Sequence, residues 1–164
     1  MLFSIIVIII KTPFNEPEMD LQIMGLVGAV MYKPIKPTYA IRIQSGIMRY
    51  DEPLKKSSFY TMKEYTFDDD NPRSWGKMGA TSITFNEDIA QRILNDFVQE
   101  GRTREVLLVH CSRGINRSPA VGIALNEIFT LGSDSEELKR QYPETNWYIY
   151  ETLIETAQKL KIHP

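Results

Sequence analysis

The chain has very little cysteine and almost no net charge. Its single cysteine, Cys111, excludes a disulfide within the 164 residues and suits a reducing compartment, so we expect a cytoplasmic protein. The 19 Lys and Arg residues are balanced by 21 Asp and Glu residues, which gives a net charge of −2. This balance provides no general attraction to nucleic acid or to an anionic membrane, and we expect neither as a partner. Any anion that the chain binds must therefore be held by a local group of donors.

The sequence also lacks an apolar run long enough to cross a membrane. Its most apolar stretch, Met1 to Ile10, has 10 residues, whereas a helix needs about 20 to span the hydrocarbon core. The stretch has no basic n-region and no small-residue cleavage site, so its Ile and Val content favours a buried strand, with a degenerate signal sequence as the alternative. No internal repeat or linker is evident, and we expect residues 1–164 to form one domain.

Apolar runs of strand type alternate with segments of helical periodicity along the chain. The predicted strands are Leu2–Ile10, Tyr39–Ile43, Tyr65–Phe67 and Val106–Val109, and the predicted helices are Met19–Val30, Asn86–Glu100, Ser118–Thr130, Glu136–Gln141 and Thr145–Leu160. This alternation predicts an α/β fold with a central, mostly parallel sheet flanked by helices on both faces. In such sheets the functional site lies at the carboxyl ends of central strands.

The most informative segment, His110 to Ser118, places the cysteine six residues before an arginine, between a buried strand and a helix. In this strand–loop–helix turn the backbone N–H groups can converge in front of the helix N-terminus, where an anion is stabilised. The sequence therefore predicts a phosphate-binding loop. Its predicted phosphate-binding residues are Ser112, Arg113, Gly114, Ile115, Asn116 and Arg117.

The residue types in this loop match phosphoryl chemistry. The guanidinium of Arg117 can hold two phosphate oxygens in a fixed fork. A helix N-terminus and an arginine favour the thiolate form of a cysteine, so we expect Cys111 to be the nucleophile. We expect His110 to orient the loop by hydrogen bonding and to favour the anion, and Ser118 to donate to the sulfur as it leaves. Gly114 permits a positive φ or a close backbone approach.

The segment resembles the Cys-x5-Arg-Ser/Thr signature of the protein tyrosine phosphatase superfamily, and the chain is nearest in size to its compact dual-specificity branch and to small prokaryotic tyrosine-phosphatase-like proteins. The resemblance implies a dual-specificity-phosphatase-like fold and a phosphocysteine intermediate, with no metal or cofactor. Arg113 departs from the family, which usually has a small residue there; it either points outward or adds positive charge at the rim. A buried structural thiol is the alternative interpretation of Cys111.

The resemblance also implies an aspartate that protonates the leaving group on a loop after an upstream strand. Tyr65 to Phe67 runs into Asp68, Asp69 and Asp70. The register of related phosphatases selects Asp69, with Asp68 second and Asp70 third, because a slip of one residue reverses the side that a side chain faces. All three could instead be solvated loop carboxylates. The enlarged loop that follows, residues 71–82, is a candidate lid.

A third resemblance lies downstream, where Asn146 opens the last predicted helix. In the dual-specificity pattern an Asn stands at this place, and it supports the phosphate loop. Asn is also an ordinary N-cap residue, so capping alone would explain its presence. Both interpretations of Asn146 stay open at this point.

Taken with the resemblance, these residues predict a cysteine-dependent phosphatase that acts on phosphate monoesters. The first expected substrate is phosphotyrosine in proteins, and phosphoserine and phosphothreonine follow. One alternative is a catalytically inactive phosphate-binding module, prompted by Arg113 and by the ambiguous acid. Another is rhodanese-like or arsenate-reductase-like thiol chemistry, against which the Arg117–Ser118 pair and the lack of a second cysteine count.

Overall fold

The computed structural model describes residues 18–164, so the strand predicted at Leu2–Ile10 lies outside the described residues. Within them, four parallel strands form one sheet in the order β1-β4-β2-β3, which confirms the predicted α/β class. The strands are β1 (Asp20–Gly25), β2 (Thr38–Gln44), β3 (Tyr60–Thr66) and β4 (Val106–Cys111). The helices are α1 (Leu26–Met31), α2 (Glu87–Asp96, continued by a π-helical turn over Phe97–Gly101), α3 (Arg117–Phe129), α4 (Ser135–Gln141) and α5 (Trp147–Lys159).

The two inner strands, β2 and β4, are buried along their whole length, as strands covered on both faces should be. Val109 of β4 pairs with Ile23 on one side and with Ile41 on the other. The last residue of β4, Cys111, lies beside Gly25 at the carboxyl end of the sheet. A continuous apolar strand therefore delivers the cysteine to the edge where loops meet.

Helices cover both faces of the sheet, but unequally. One face carries the main core, in which Ile41, Leu107 and Val109 pack with side chains from α2, α3 and α5. On the opposite face lie Arg42 and His110, together with α1 and the irregular segment 45–58. No helix within residues 18–164 is long and apolar enough to cross a membrane.

The helix predicted over Met19–Val30 is wrong for its first half. Residues 20–25 form strand β1, and only residues 26–31 are helical. The side chains of Leu21 and Ile23 lie against Gly122 of α3, on one face of the sheet. The side chain of Met24 points to the other face and lies against Gly28 of α1. The apolar residues therefore follow a strand period of two, which the helical reading of this short segment obscured.

The other described elements lie where the sequence predicts them, with ends shifted by one or two residues, except that β3 begins at Tyr60, five residues before its predicted start at Tyr65. Asn86 caps α2 by accepting a hydrogen bond from the Ile89 amide at 3.0 Å. Asp134 caps α4 in the same way through the Glu137 amide. β4 extends through Cys111, two residues past its predicted end.

Candidate active site

The thiol of Cys111 forms the floor of the loop that joins β4 to α3. Its Sγ accepts a hydrogen bond from the Gly114 amide at 3.2 Å and lies 3.3 Å from the Ser118 hydroxyl oxygen. The Ser118 hydroxyl also lies 3.4 Å from the Met24 carbonyl oxygen. Only 2% of Cys111 is exposed, yet its sulfur faces polar donors of the loop. These contacts match the predicted roles of a nucleophile and of a hydroxyl that can donate to it.

Two glycines let β1 brace the loop from behind. Gly114 has a φ of +78°, and a Cβ there would lie 2.4 Å from the Gly25 nitrogen. A Cβ on Gly25 would lie 2.8 Å from the Arg113 carbonyl oxygen. The Leu26 amide then donates to the Ser112 carbonyl at 3.0 Å. Main-chain contact at this distance requires glycine at both positions, and it fixes the curvature of the loop.

The guanidinium of Arg117 is held by strand ends and by the loop. Its Nη1 donates to the Phe67 carbonyl at 2.8 Å and to the Gln44 carbonyl at 3.3 Å, while Nη2 donates to the Ser112 hydroxyl at 3.0 Å. A guanidinium has five N–H donors, so Nε and the second hydrogen of Nη2 are left for a ligand. These two donors form the side of the fork that binds an oxyanion bidentately.

The loop offers further donors on its main chain. Within residues 18–164, the amides of Ser112, Arg113 and Ile115 donate no hydrogen bond to another group. Asn116 is fixed instead by its side chain, which donates to the Glu144 carbonyl at 2.8 Å. Unpaired N–H groups in a tight loop before a helix are the arrangement that binds phosphate.

Two of the three candidate acids are occupied by structural hydrogen bonds. Asp68 accepts from the Gly46 amide at 3.0 Å, from the Ile83 amide at 2.7 Å and from the Ser45 hydroxyl. Such a carboxylate closes its own loop and has little freedom to move a proton.

Asp70 is held in the same manner. It accepts from the Thr84 hydroxyl at 2.6 Å, from the Met78 amide at 2.6 Å and from the Ser82 hydroxyl at 2.9 Å. Burial opposes its ionisation, but these hydrogen bonds outweigh burial and lower the pKa of Asp70. Asp70 is thus an ionised group that ties the two ends of the 71–82 loop together.

Asp69, the acid favoured by the register, has a different environment. Its side chain is half-buried and accepts one hydrogen bond, from Nδ2 of Asn146 at 2.8 Å. Burial raises the pKa of Asp69, against the opposing effects of Asn146, Arg117 and Arg113. A carboxyl group with a raised pKa beside two arginines is suited to giving and taking a proton.

Asn146 joins the acid loop to the phosphate loop. Its Nδ2 donates to the Asp69 carboxylate and, at 3.0 Å, to the Asp70 carbonyl, while its Oδ1 caps α5 by accepting from the Ile149 amide at 3.4 Å. Its backbone amide donates to the Asn116 carbonyl at 3.1 Å. Capping and loop support are therefore both present, and the contact with the phosphate loop is made by the main chain.

Arg113 lies exposed on the loop, and its charge acts on Asp69. Its exposure fits an outward-pointing side chain and its effect on Asp69 fits added positive charge at the rim, so both interpretations of this unusual arginine stay open. Long-range attraction of an anionic substrate is the expected effect of a cation in that place.

His110 is fully buried on the second face of the sheet, and neither ring nitrogen has a hydrogen bond of standard geometry within residues 18–164. Burial and the nearby charge of Arg42 lower the pKa of His110 to about 4, and a hydrogen bond to the Cys111 backbone opposes this shift. A neutral ring adds no charge to favour an anion. The orientation of the loop by His110 stays a prediction. The ring packs against Tyr50, with ring centroids 6.2 Å apart.

The 71–82 loop is anchored to its surroundings at two points. The indole N–H of Trp75 donates to the Asp69 carbonyl at 2.9 Å. Arg73 pairs with Glu151 and lies 3.8 Å from Glu155, both on α5. The segment predicted as a lid is thus tied to the main chain at Asp69 by Trp75 and to α5 by Arg73.

Several contacts that position the site have no signal in the sequence. The carbonyl groups of Gln44 and Phe67 hold Arg117, and main-chain acceptors leave no trace in residue type. The contact between β1 and the loop was missed because the sequence of β1 favours a helix. Gly25 is the one clue in the sequence, since a glycine there allows the close approach of the main chain to Arg113.

Comparison with known proteins gives similarity in structure only. No family model and no curated protein matches the sequence. The solved structure of human tyrosine phosphatase-like serine/threonine/tyrosine-interacting protein is 19% identical, with 86% of this chain and 90% of that chain covered and a TM-score of 0.46. Tk-PTP in the active form is 18% identical, with 73% of this chain and 80% of that chain covered and a TM-score of 0.38.

Similarity at this level identifies no activity. The function is therefore argued below from the contacts of the site.

Proposed function

We propose that the protein is a cysteine-dependent phosphatase that hydrolyses phosphate monoesters, with phosphotyrosine in proteins as its first substrate class and phosphoserine or phosphothreonine as its second. The observation that carries the proposal is the contact set of Cys111, whose Sγ meets the Gly114 amide and the Ser118 hydroxyl in the loop that also holds Arg117. A thiol with polar donors at the base of an oxyanion loop is arranged for attack on phosphorus.

In the first step the Cys111 thiolate attacks the phosphorus atom in line with the leaving oxygen. A sulfur–phosphorus bond forms, the phosphorus–oxygen bond breaks, and protonated Asp69 gives its proton to the departing oxygen. Arg117 and the loop amides hold the equatorial oxygens, on which charge is spread in the transition state.

In the second step water attacks the phosphocysteine. Asp69, now a carboxylate, takes a proton from the water, the sulfur–phosphorus bond breaks, and inorganic phosphate is released. Ser118 stabilises the departing thiolate with a hydrogen bond from its hydroxyl to Sγ and keeps its proton; the two atoms are already 3.3 Å apart. A nucleophilic thiol has to stay reduced, which supports a cytoplasmic location.

The test uses turnover of 4-nitrophenyl phosphate and binding of tungstate, measured on the same preparations. Cys111→Ser should abolish turnover and retain tungstate binding, because the loop amides and Arg117 remain. Turnover near the wild-type rate in Cys111→Ser would exclude the covalent mechanism. Tungstate binding by a wild-type protein with no turnover would indicate a binding module, and higher activity as a thiosulfate sulfurtransferase would indicate sulfur transfer.

A further inference from the structure

A cavity of about 380 Å³ lies on the second face of the sheet. Alternate residues of β3, Tyr60, Met62 and Glu64, form one wall, and the adjacent β2 contributes Arg42. The irregular segment 49–57 closes the other side. None of residues 111–118 lines the cavity, but two lining residues adjoin the nucleophile loop: the Gln44 carbonyl accepts from Arg117, and Tyr50 packs against His110.

Arg42, in the wall of this cavity, is a buried cation whose hydrogen bonds are incomplete. Its side chain is 5% exposed, and its Nη2 donates to the Tyr50 carbonyl at 3.2 Å and to the Glu52 carbonyl at 2.7 Å. Its Nε has no hydrogen-bond partner within residues 18–164; the Glu64 carboxylate is 3.7 Å away, an ion pair without a hydrogen bond. A buried donor without an acceptor is costly, and native structures rarely leave one without a reason.

Tyr60 presents a second buried polar atom of the same kind. Its hydroxyl oxygen has no hydrogen-bond partner in the described part of the chain, and its side chain lines the same cavity. Two cavity-lining side chains, Arg42 and Tyr60, thus retain hydrogen-bonding capacity that protein groups do not use. Both can donate, so an acceptor is the complementary ligand group.

The charges around the cavity favour an anion. Four cationic residues line it against two acidic ones, which leaves a formal excess of +2. One acid, Glu64, is already shared between Arg49 at 2.7 Å and Arg42 at 3.7 Å. The cationic residues are Arg42, Arg49, Lys55 and Lys56, and the acidic ones are Asp51 and Glu64.

Three apolar residues, Pro53, Leu54 and Met62, also line the cavity. Met62 is 47% exposed on the edge strand, and Pro53 and Leu54 face it from the segment 49–57. A volume of about 380 Å³ falls within the range of roughly 300–1,000 Å³ for small-molecule pockets. A cavity with an apolar wall and a few convergent polar groups fits a compact organic molecule.

We propose that this cavity is a second ligand site, which binds a small organic anion. Its carboxylate, sulfonate or phosphate group accepts hydrogen bonds from Arg42 and Tyr60, and its apolar body packs against Leu54 and Met62. Lys56 at the rim adds attraction to the anion. The proposal goes beyond the phosphatase function and does not depend on it.

The test titrates the full chain, labelled with ¹³C at the methionine methyl groups, with naphthalene-2-carboxylate. Met62 reports on the cavity and Met78 on the acid loop. Met62→Leu assigns the first signal. Titrations are run with and without orthovanadate, which competes for an oxyanion site at the nucleophile loop.

We expect a saturable shift of the Met62 methyl that orthovanadate does not remove. Reversing one rim charge by Lys56→Glu should weaken binding about fivefold, which corresponds to about 1 kcal/mol between surface charges several ångströms apart. The matched control Lys36→Glu, an exposed lysine outside this cavity, should leave affinity unchanged. Arg42→Lys, which keeps the charge and loses the fork, should also weaken binding.

Three results would overturn the proposal. The first is a shift centred on Met78 that orthovanadate abolishes, because the anion would then occupy the nucleophile loop. The second is a shift of several methionines that never saturates. The third is equal affinity in Lys56→Glu and Lys36→Glu. If Arg42→Lys fails to fold, the comparison of Lys56→Glu with Lys36→Glu still tests whether the anion binds in this cavity.

Discussion

Replacing Asn146 by serine separates its support of the acid from its capping of α5. Serine is as good an N-cap residue as asparagine, so Asn146→Ser should keep the cap and lose the two hydrogen bonds from Nδ2. One of these bonds reaches a carboxylate and one a carbonyl. Together they are worth about 2 kcal/mol, after allowing for the exposure of Asp69.

The matched control is Asn86→Ser in α2, where an asparagine Oδ1 likewise accepts from the amide three residues further on, here that of Ile89 at 3.0 Å. We expect its free energy of unfolding and its turnover to stay close to wild type. Chemical denaturation of the two variants measures the free energy of unfolding. A loss of about 2 kcal/mol in Asn146→Ser alone would assign that loss to the acid loop and not to capping.

Turnover gives the sharper readout. General acid catalysis contributes roughly 10²- to 10⁴-fold, and a displaced Asp69 forfeits part of it. With phenyl phosphate, whose leaving group needs a proton, Asn146→Ser should lose about tenfold or more in kcat/KM, which reports the first step alone. With 4-nitrophenyl phosphate, whose leaving group needs little help, the loss in kcat/KM should be much smaller. Equal losses with both substrates, or none relative to Asn86→Ser, would refute the reasoning.

Three further predictions follow from the same contacts. Because Asp69 must be protonated in the first step and its pKa is raised, kcat/KM should fall as pH rises through that pKa; a pH profile of Asp69→Asn should lack this alkaline fall. Because the pKa of Asp70 is lowered in the folded state, its ionised form stabilises the fold at pH values above the ordinary Asp range, and this contribution is lost as pH falls. The difference in free energy of unfolding between wild type and Asp70→Asn, measured by denaturation, should therefore become smaller in acid. A difference that becomes larger in acid would contradict the assignment. Arg73→Gln should lower kcat about threefold, because it frees the acid loop from α5. Lys159→Gln, which breaks an exposed ion pair between α5 and Glu87, should leave kcat unchanged, and each substitution should lower the free energy of unfolding by less than about 1 kcal/mol. Equal kcat values in the two variants would show that Arg73 does not anchor the acid loop.

The parts of the site that follow from residue type and spacing were predictable from the sequence. Val106 to Val109 is continuously apolar, so its place as an inner strand follows from burial on two faces. The strand is succeeded by Cys111, Gly114 and Arg117 at the spacing that closes a phosphate loop. The positive φ of Gly114 agrees with the reason given for a glycine there.

What the sequence could not supply depends on tertiary contacts. Asp68, Asp69 and Asp70 are chemically identical, and only the amides and hydroxyls that meet the outer two distinguish them. His110 looks like a hydrogen-bonding residue by type, but its strand position turns it to the buried second face beside Arg42. Side-chain partners from distant segments override the preference of a residue in isolation.

The central claim is that the Cys111 sulfur carries the phosphoryl group during turnover, and rapid quenching of Asp69→Ala tests it most directly. With 4-nitrophenyl phosphate the first step needs little acid, whereas the second step lacks its base and slows. We predict a burst of nitrophenolate equal to the enzyme concentration, with one phosphoryl group on the peptide that contains Cys111 after acid quench and mass spectrometry. Turnover without a burst, with Cys111 unmodified or another residue phosphorylated, would contradict the account.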